Sequence, residues 1–333
     1  MGVADPQPPL LEVRHLSTHY VTDEGVFRAV DDLSFRVMKG ESMGLVGESG
    51  CGKTTAMLSL LRLLPAAGRI VSGEVLLEGR DLMALDEAEM RALRWDRLSM
   101  IFQGAMNALN PVRSVGDQIG EALVIHGLAP GLGAAAPRVG ELLEMVGIPR
   151  SREAHFPHQY SGGMRQRAMI AMALACSPQV VIADEPTTAL DVMIQAQILE
   201  LLERLQRELG LAVILVTHDL SVVAELCHSV LVMYGGALAE YSNVDRIFND
   251  PRHPYTRLLL SAFPDLSRPE GKLISIPGHP PRLNDLPPGC RFAPRCPQAF
   301  DRCRLESPSP RLVEPGHWVA CHLYEEAALD AAG

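Results

Sequence analysis

Gly47-Glu48-Ser49-Gly50-Cys51-Gly52-Lys53-Thr54 is the stretch on which the reading of the fold turns. It matches G-x-x-x-x-G-K-S/T in full. The apolar run Met43-Gly44-Leu45-Val46 leads into it and reads as a strand. Thr55 to Leu64 follows and reads as a helix. That strand–loop–helix setting is what the spacing needs. The glycines let backbone N–H groups curl around β- and γ-phosphates, and the helix offers its N-terminus to the same charge. Lys53 is predicted to reach the phosphates and Thr54 to give its hydroxyl to Mg²⁺. Gly47, Ser49, Gly50, Cys51, Gly52 and Thr55 complete the predicted nucleotide contacts. Cys51 stands where Ser is commoner and reads first as a tolerated small residue; beside Lys53 at a helix N-terminus its thiol pKa is also expected to fall, with alkylation blocked by nucleotide.

Working outward, residues 10–46 carry short alternating runs, Leu11–Val13, Ala29-Val30 and Leu33–Val37, with a turn at Asp23-Glu24-Gly25. Residues 86–99 and 115–147 have helical spacing, interrupted by the Gly/Ala/Pro stretch 127–137. Leu98–Phe102 is strand-like. Beyond it the chain alternates: a helix ending at Ala175, a strand at 180–183, a helix at 194–208, a strand at 212–216, a helix at 221–227 and a strand at 229–234. Such alternation predicts an α/β fold with a mainly parallel sheet.

Asp184 ends an apolar strand, where a carboxylate meets the C-terminal edge of the sheet and its ligand. It is assigned to Mg²⁺, and Glu185 to orienting or deprotonating the attacking water. Ser161-Gly162-Gly163 alone is ordinary turn chemistry. Its position before the Val180 strand, opening a helix near Met164, makes it an anion site. The phosphate loop already serves this chain's own nucleotide, so the second site points to a nucleotide held by another subunit. Gln103 ends a strand and could contact Mg²⁺ and water, His218 the γ-phosphate, and Tyr20 the adenine. Each is ordinary taken singly, and the argument rests on their order.

The 333 residues are 47% hydrophobic with a net charge of -10, enough for one large domain plus appendages. The acidic balance argues against affinity built on nucleic-acid phosphates. No apolar run reaches the roughly 18–20 residues of a membrane span. The start lacks the layout of a signal peptide. The chain is expected to stay in the cytoplasm and to meet a membrane only through a partner.

Composition changes near Pro264: the last 70 residues hold 12 of the 25 prolines. Cys290, Cys296, Cys303 and Cys321 lie there, with five, six and seventeen residues between them. In a reducing compartment they read as metal ligands, for Zn²⁺ or for an iron–sulfur cluster. A Pro-rich tail with few apolar residues needs such a staple. Arg291, Arg295, Arg302 and Arg304, against one acid, Asp301, are expected to offset thiolate charge. The tail, 264–333, reads as a separate domain.

The order phosphate loop, Gln103, Ser161-Gly162-Gly163, Asp184-Glu185, Ala189-Leu190-Asp191, His218 resembles the nucleotide-binding subunit of ABC transporters over residues 10 to about 263. Gly162–Arg167, Asp191–Leu199 and His253–Leu259, with the cysteine pattern, resemble the dipeptide/oligopeptide and nickel importer branch, nearer its D-type than its F-type subunit. The resemblance implies a RecA-like phosphate-loop ATPase core with an N-terminal antiparallel β subdomain and a helical subdomain at 104–160 that receives a membrane subunit. It implies hydrolysis of ATP with Mg²⁺ held through Thr54, Gln103 and Asp184. Tyr20 would stack on adenine and Asp191 would couple two ATP sites. It implies a 4Fe–4S cluster on the four cysteines, with zinc the second choice and unmetallated cysteines the third. The partners implied are a paralogous ATPase subunit, two membrane permeases and an extracytoplasmic solute-binding protein, with this chain peripheral on the cytoplasmic face. Met164, Tyr160 and Gly104-Ala105 depart from the commonest pattern and remove no catalytic group. A soluble ABC protein of DNA repair or translation, or a phosphate-loop kinase, explains the set less well. Heptads are absent, and a kinase leaves Ser161-Gly162-Gly163 and His218 without a role.

Overall fold

The structure, a computed structural model, describes residues 8–104, 108–262 and 276–324. In chain order the elements are β1 (Leu11–Thr22), β2 (Gly25–Val37), β3 (Ser42–Val46), α1 (Lys53–Leu60), β4 (Gly68–Leu77), β5 (Arg80–Asp81), α2 (Glu87–Leu93) and β6 (Leu98–Ile101). Then come α3 (Val115–Ile125), α4 (Leu132–Met145), α5 (Gly162–Ala173), β7 (Val180–Asp184), α6 (Val192–Leu209), β8 (Ala212–Val216) and α7 (Leu220–Leu226). The remainder is β9 (Ser229–Tyr234), β10 (Ala237–Asn243), α8 (Val244–Asn249), α9 (Pro254–Ser261), α10 (Asp301–Leu305), β11 (Arg311–Glu314) and β12 (His317–Val319). The described residues form two compact units. The first draws on Met1–Val37, Met43–Met83 and Val216–Gly333, the second on Met38–Ser42 and Ala84–Leu215.

In the first unit β1 and β2 form a hairpin in register from Leu11↔Val37 to Thr22↔Gly25. The expected turn is there, and Gly25 takes φ 114. The runs expected as short strands are continuous, because register shifts near Val13, Leu16 and Thr18 let two long strands coil without breaking. β4 pairs with the other edge of β1 and carries β5, giving the antiparallel order β2-β1-β4-β5. A second sheet places β3 parallel to β9, with Met43↔Ser229 to Val46↔Val232. Every residue of β3 and β9 is buried, as parallel strands covered on both faces require.

The expected boundary at 263/264 lies outside the described residues. Within those described, β12 adds antiparallel to β10 through Glu240↔Val319 and Tyr241↔Trp318, and β11 follows β12. The tail therefore shares a sheet with the rest of its unit. The physical reason lies in its few apolar side chains. Phe292 is buried against Tyr234 (centroids 5.1 Å) and Tyr255 (5.3 Å), so the tail borrows a core rather than building one.

In the second unit β6 runs parallel to β7, Leu98↔Val180 to Ile101↔Ala183, in the order β8-β7-β6. Helix α6 shows how the sequence builds the cover. Asp191 caps it by accepting from the Ile194 N–H (3.0 Å), and Gly210 at φ 63 ends it. Ile198, Leu201, Leu202 and Leu205 form its buried stripe at helical spacing. The helix expected over 86–99 stops at Leu93, where Arg94 turns to extended backbone, and β6 begins at Leu98. The predicted loose stretch 127–137 is shorter than expected. α4 starts at Leu132 and contains Pro137, since Ala134-Ala135-Ala136 favour the helix enough to absorb one lost N–H. Among the described residues no helix is long and apolar enough to cross a membrane.

Candidate functional site

The phosphate loop sits in the first unit between β3 and α1. Gly52 precedes α1 at φ 102, and a Cβ there would lie 1.9 Å from the Ala29 carbonyl oxygen. Only glycine fits that approach. Helix α1 begins without a side-chain cap, so its first N–H groups face the loop, as anion binding requires. Lys53 is 7% exposed, and its ammonium donates to the carbonyls of Gly47 (2.7 Å) and Glu48 (3.1 Å). Thr54, Ser49 and Gly50 are exposed and Thr55 is half-buried.

Tyr20 lies near the end of β1 with its hydroxyl 3.3 Å from Thr55 Oγ1, so the predicted aromatic does stand beside α1. The Thr217 N–H donates to the Leu45 carbonyl (3.3 Å), which brings exposed His218 to the end of β3 from which the loop departs.

Cys51 corrects the sequence expectation. Its side chain is buried, and burial raises the thiol pKa more than the Lys53 ammonium and local backbone bonds lower it. The nearest charge, Lys53 Nζ at 3.9 Å, is already engaged by two carbonyls. Desolvation wins, and the thiol pKa is raised.

The second unit brings Gln103 and Glu185 together. Gln103 Nε2 donates to Glu185 Oε2 at 2.8 Å, and Thr188 Oγ1 donates to the same oxygen at 2.9 Å. Glu185 takes φ 45, a left-handed conformation that costs a β-carbon residue about 1–2 kcal/mol. Strain of this kind collects where a side chain must be aimed. Asp184, one residue before, ends β7 and is 1% exposed. Ala105 lies outside the described residues.

Ser161 is exposed and accepts from the Met164 N–H (3.3 Å), capping α5. Its hydroxyl proton stays available to an anion. Gly163 permits α5 to approach α6, because a Cβ there would sit 2.6 Å from Ile194 Cγ2. Gly162 lies beside it, with Leu190 Cδ2 3.5 Å from its would-be Cβ. Asp191 acts locally as the cap of α6. Tyr160 has its own role: its buried ring sends the hydroxyl to the Arg152 carbonyl (2.9 Å), and desolvation pushes its pKa up to about 12.

The four tail cysteines line one cavity in the first unit with His253, Phe292 and His322. Burial raises the thiol pKa of Cys290 and Cys296. At Cys321 burial and the neighbouring Cys290, Cys296 and Cys303 push it up to about 12. Among the described residues no group of three or more His, Cys, Asp or Glu is arranged around a single metal ion.

The tail arginines also differ from expectation, because three of the four are paired closely with a carboxylate. Arg291 pairs with Asp31 and Arg295 with Glu48 (2.6 Å), while Arg302 pairs with Glu306 (2.8 Å) and Arg304 approaches Asp301 (4.0 Å).

Two residues at the phosphate loop escape sequence reasoning, Tyr255 and Arg295. Tyr255 accepts the Glu48 N–H at 2.9 Å. The only signal was that Tyr255 belongs to the His253–Leu259 motif, whose role spacing alone does not reveal.

Comparison with known proteins agrees with this layout. The ABC transporter family pattern matches residues 30–188, and the oligopeptide/dipeptide transporter C-terminal region matches residues 239–303. The dipeptide transport ATP-binding protein DppD of Escherichia coli (strain K12) is 46% identical over 326 residues, covering 97% of this chain and 98% of DppD. The oligopeptide transport ATP-binding protein AppD of Bacillus subtilis (strain 168) is 46% identical over 324 residues, 96% of this chain and 98% of AppD. Among solved structures, the ATP-binding cassette MJ0796, a dimer in a post-hydrolysis state bound to ADP and Pi, superposes with a TM-score of 0.63 at 28% identity. It covers 70% of this chain and 98% of that one. The chain therefore belongs to the ABC transporter ATP-binding proteins, in the D-type branch that carries the oligopeptide/dipeptide transporter C-terminal region.

Proposed function

We propose that this chain is the ATP-hydrolysing subunit that drives import of di- and oligopeptides, paired with a paralogous ATPase subunit on two membrane permeases. The observation that carries the catalytic half is the Gln103–Glu185 hydrogen bond of 2.8 Å at the end of β7. Glu185 orients or deprotonates the attacking water, and Gln103 fixes the carboxylate that does so. Lys53 and the loop amides neutralise phosphate charge, and His218 contacts the γ-phosphate. Thr54, Gln103 and Asp184 would hold Mg²⁺, which supplies charge neutralisation of the phosphates. The buried carboxylate of Asp184 and the exposed hydroxyl of Thr54 suit a hard, oxygen-seeking cation.

Ser161, Gly162 and Gly163 act on the nucleotide of the partner ATPase, and Asp191 couples the two sites. The cargo reading rests on the C-terminal region at 239–303 and on the peptide transport named for the relatives. It implies a chain on the cytoplasmic face of a membrane complex that an extracytoplasmic solute-binding protein supplies with cargo. The 4Fe–4S reading rests on the four cysteines lining one cavity and on the resemblance to the importer branch, with zinc the second choice. Such a cluster would cross-link a loop-rich segment. Anaerobic purification tests it: brown protein with broad visible absorbance supports the cluster, and colourless protein with stoichiometric zinc refutes it. Reconstituting the chain with its permeases, paralogue and binding protein in vesicles tests the cargo reading. Peptide-stimulated hydrolysis supports it, and stimulation by nickel or an oligosaccharide alone would overturn it.

A further inference from the structure

We propose that Arg295 of the tail is a positioning residue for the phosphate loop, holding the Glu48 carboxylate away from bound phosphates so that the tail sets nucleotide affinity. Glu48 occupies a variable position of the loop, immediately after Gly47 and close in sequence to Lys53. A carboxylate there stands against the purpose of a loop that binds a polyanion. The structure restrains it on both sides. Arg295 Nη1 donates to Glu48 Oε2 at 2.6 Å and Nη2 to Oε1 at 3.0 Å, a fork on a fork. The Glu48 N–H donates to the Tyr255 hydroxyl at 2.9 Å, and Tyr255 is fully buried.

Arg295 is itself held in place. It is 8% exposed, its Nε donates to the Pro277 carbonyl (2.7 Å), and its guanidinium lies 5.8 Å from the centre of the Tyr234 ring. Tyr234, Tyr255 and Phe292 pack on one another, so both grips on Glu48 spring from one aromatic cluster. All of these residues belong to the same unit. Arg295 also stands one residue before Cys296. A second tail arginine, Arg291, donates to the Gly235 carbonyl, and the Gly236 N–H donates to the Cys51 carbonyl (2.9 Å). The tail thus braces the loop at two points.

This inference rests on the chain's membership of an ATP-binding family and not on its cargo. The test is equilibrium binding of Mg-ADP to the purified full-length chain, together with KM and kcat for ATP. In Arg295→Gln an unpaired carboxylate is left beside the polyanion, and Mg-ADP should bind about tenfold more weakly, with KM raised to match and kcat within about twofold of the parent. The double variant Arg295→Gln/Glu48→Gln removes that charge, and affinity should return to within about twofold of the parent. Unchanged affinity in Arg295→Gln overturns the proposal. So does a double variant as weak as Arg295→Gln, because Arg295 would then merely hold the tail together. Should Arg295→Gln fail to fold, Arg295→Lys keeps the charge and loses the fork. It should bind about threefold more weakly, and adding Glu48→Gln should restore it; failure to restore overturns the proposal. Failure of the parent chain to bind Mg-ADP would strike the family reading instead.

Discussion

Glu240 offers the sharpest test of how the tail is joined to its unit. The carboxylate is fully buried on β10 and accepts from the Arg252 N–H (2.7 Å), the His253 N–H (2.9 Å) and His317 Nε2 (2.7 Å). It therefore ties β12, through His317, to the chain that enters α9. Glu240→Ala leaves three buried donors without their acceptor. At about 1–2 kcal/mol for each, the loss comes to about 3–6 kcal/mol. A domain of this kind holds only about 5–15 kcal/mol in total. Glu240→Gln keeps one acceptor oxygen and should lose about half as much.

Burial acts to raise the Glu240 pKa, but the bonds from His317 and the two backbone N–H groups help overcome it and hold the carboxyl below its usual range. A depressed carboxylate contributes stability that is present above the unfolded-state value and is lost as pH falls through the lower folded value. Stability of the parent should thus decline on acidification below the ordinary glutamate range, and Glu240→Gln should flatten that decline. The assay is urea unfolding followed by tryptophan emission, since Trp318 lies on β12 opposite Tyr241. If Glu240→Ala unfolds within about 1 kcal/mol of the parent at neutral pH, the buried-acceptor reasoning is refuted.

Three further outcomes are expected. Gly52→Ala should abolish nucleotide binding, read by titration with Mg-ADP, because its Cβ would meet the Ala29 carbonyl at 1.9 Å in a left-handed backbone. Gly163→Ala should destabilise the chain by about 1–3 kcal/mol in urea unfolding through its clash with Ile194, while leaving Mg-ADP affinity intact. Cys51, buried and with its thiol pKa raised, should react with alkylating reagents far more slowly than an exposed thiol near neutral pH, with or without nucleotide. Rapid, nucleotide-protected labelling would restore the opposite view.

Much of the site was legible because its parts are local. The phosphate loop, β7 with Asp184, β8 and β9 are short apolar runs or fixed spacings, and the structure returns them within a residue or two. Gln103 and Glu185 were read separately as water-handling groups, and 82 residues of chain fold back to join them. What was not legible depends on tertiary pairing. β4 and β10 carry mixed polar and apolar residues whose strand character comes from β1 and β9. The tail arginines looked like counter-ions for the cysteines because they neighbour them in sequence. Their partners Asp31 and Glu48 are 260 and 247 residues away. Cys51 misled for the same reason: the charge beside it is visible in sequence, and the burial that outweighs it is not. The left-handed backbone at Glu185 has no sequence signal at all, since the residue is neither Gly nor Asn.

The central claim is that Glu185, aimed by Gln103, activates the water that cleaves ATP. Its most direct test is single-turnover hydrolysis by Glu185→Gln, with nucleotide retention and oligomeric state read on the same sample. The account predicts that hydrolysis is lost while Mg-ATP is retained and the chain is trapped as an ATP-loaded dimer. Hydrolysis at the parent rate in Glu185→Gln would contradict it.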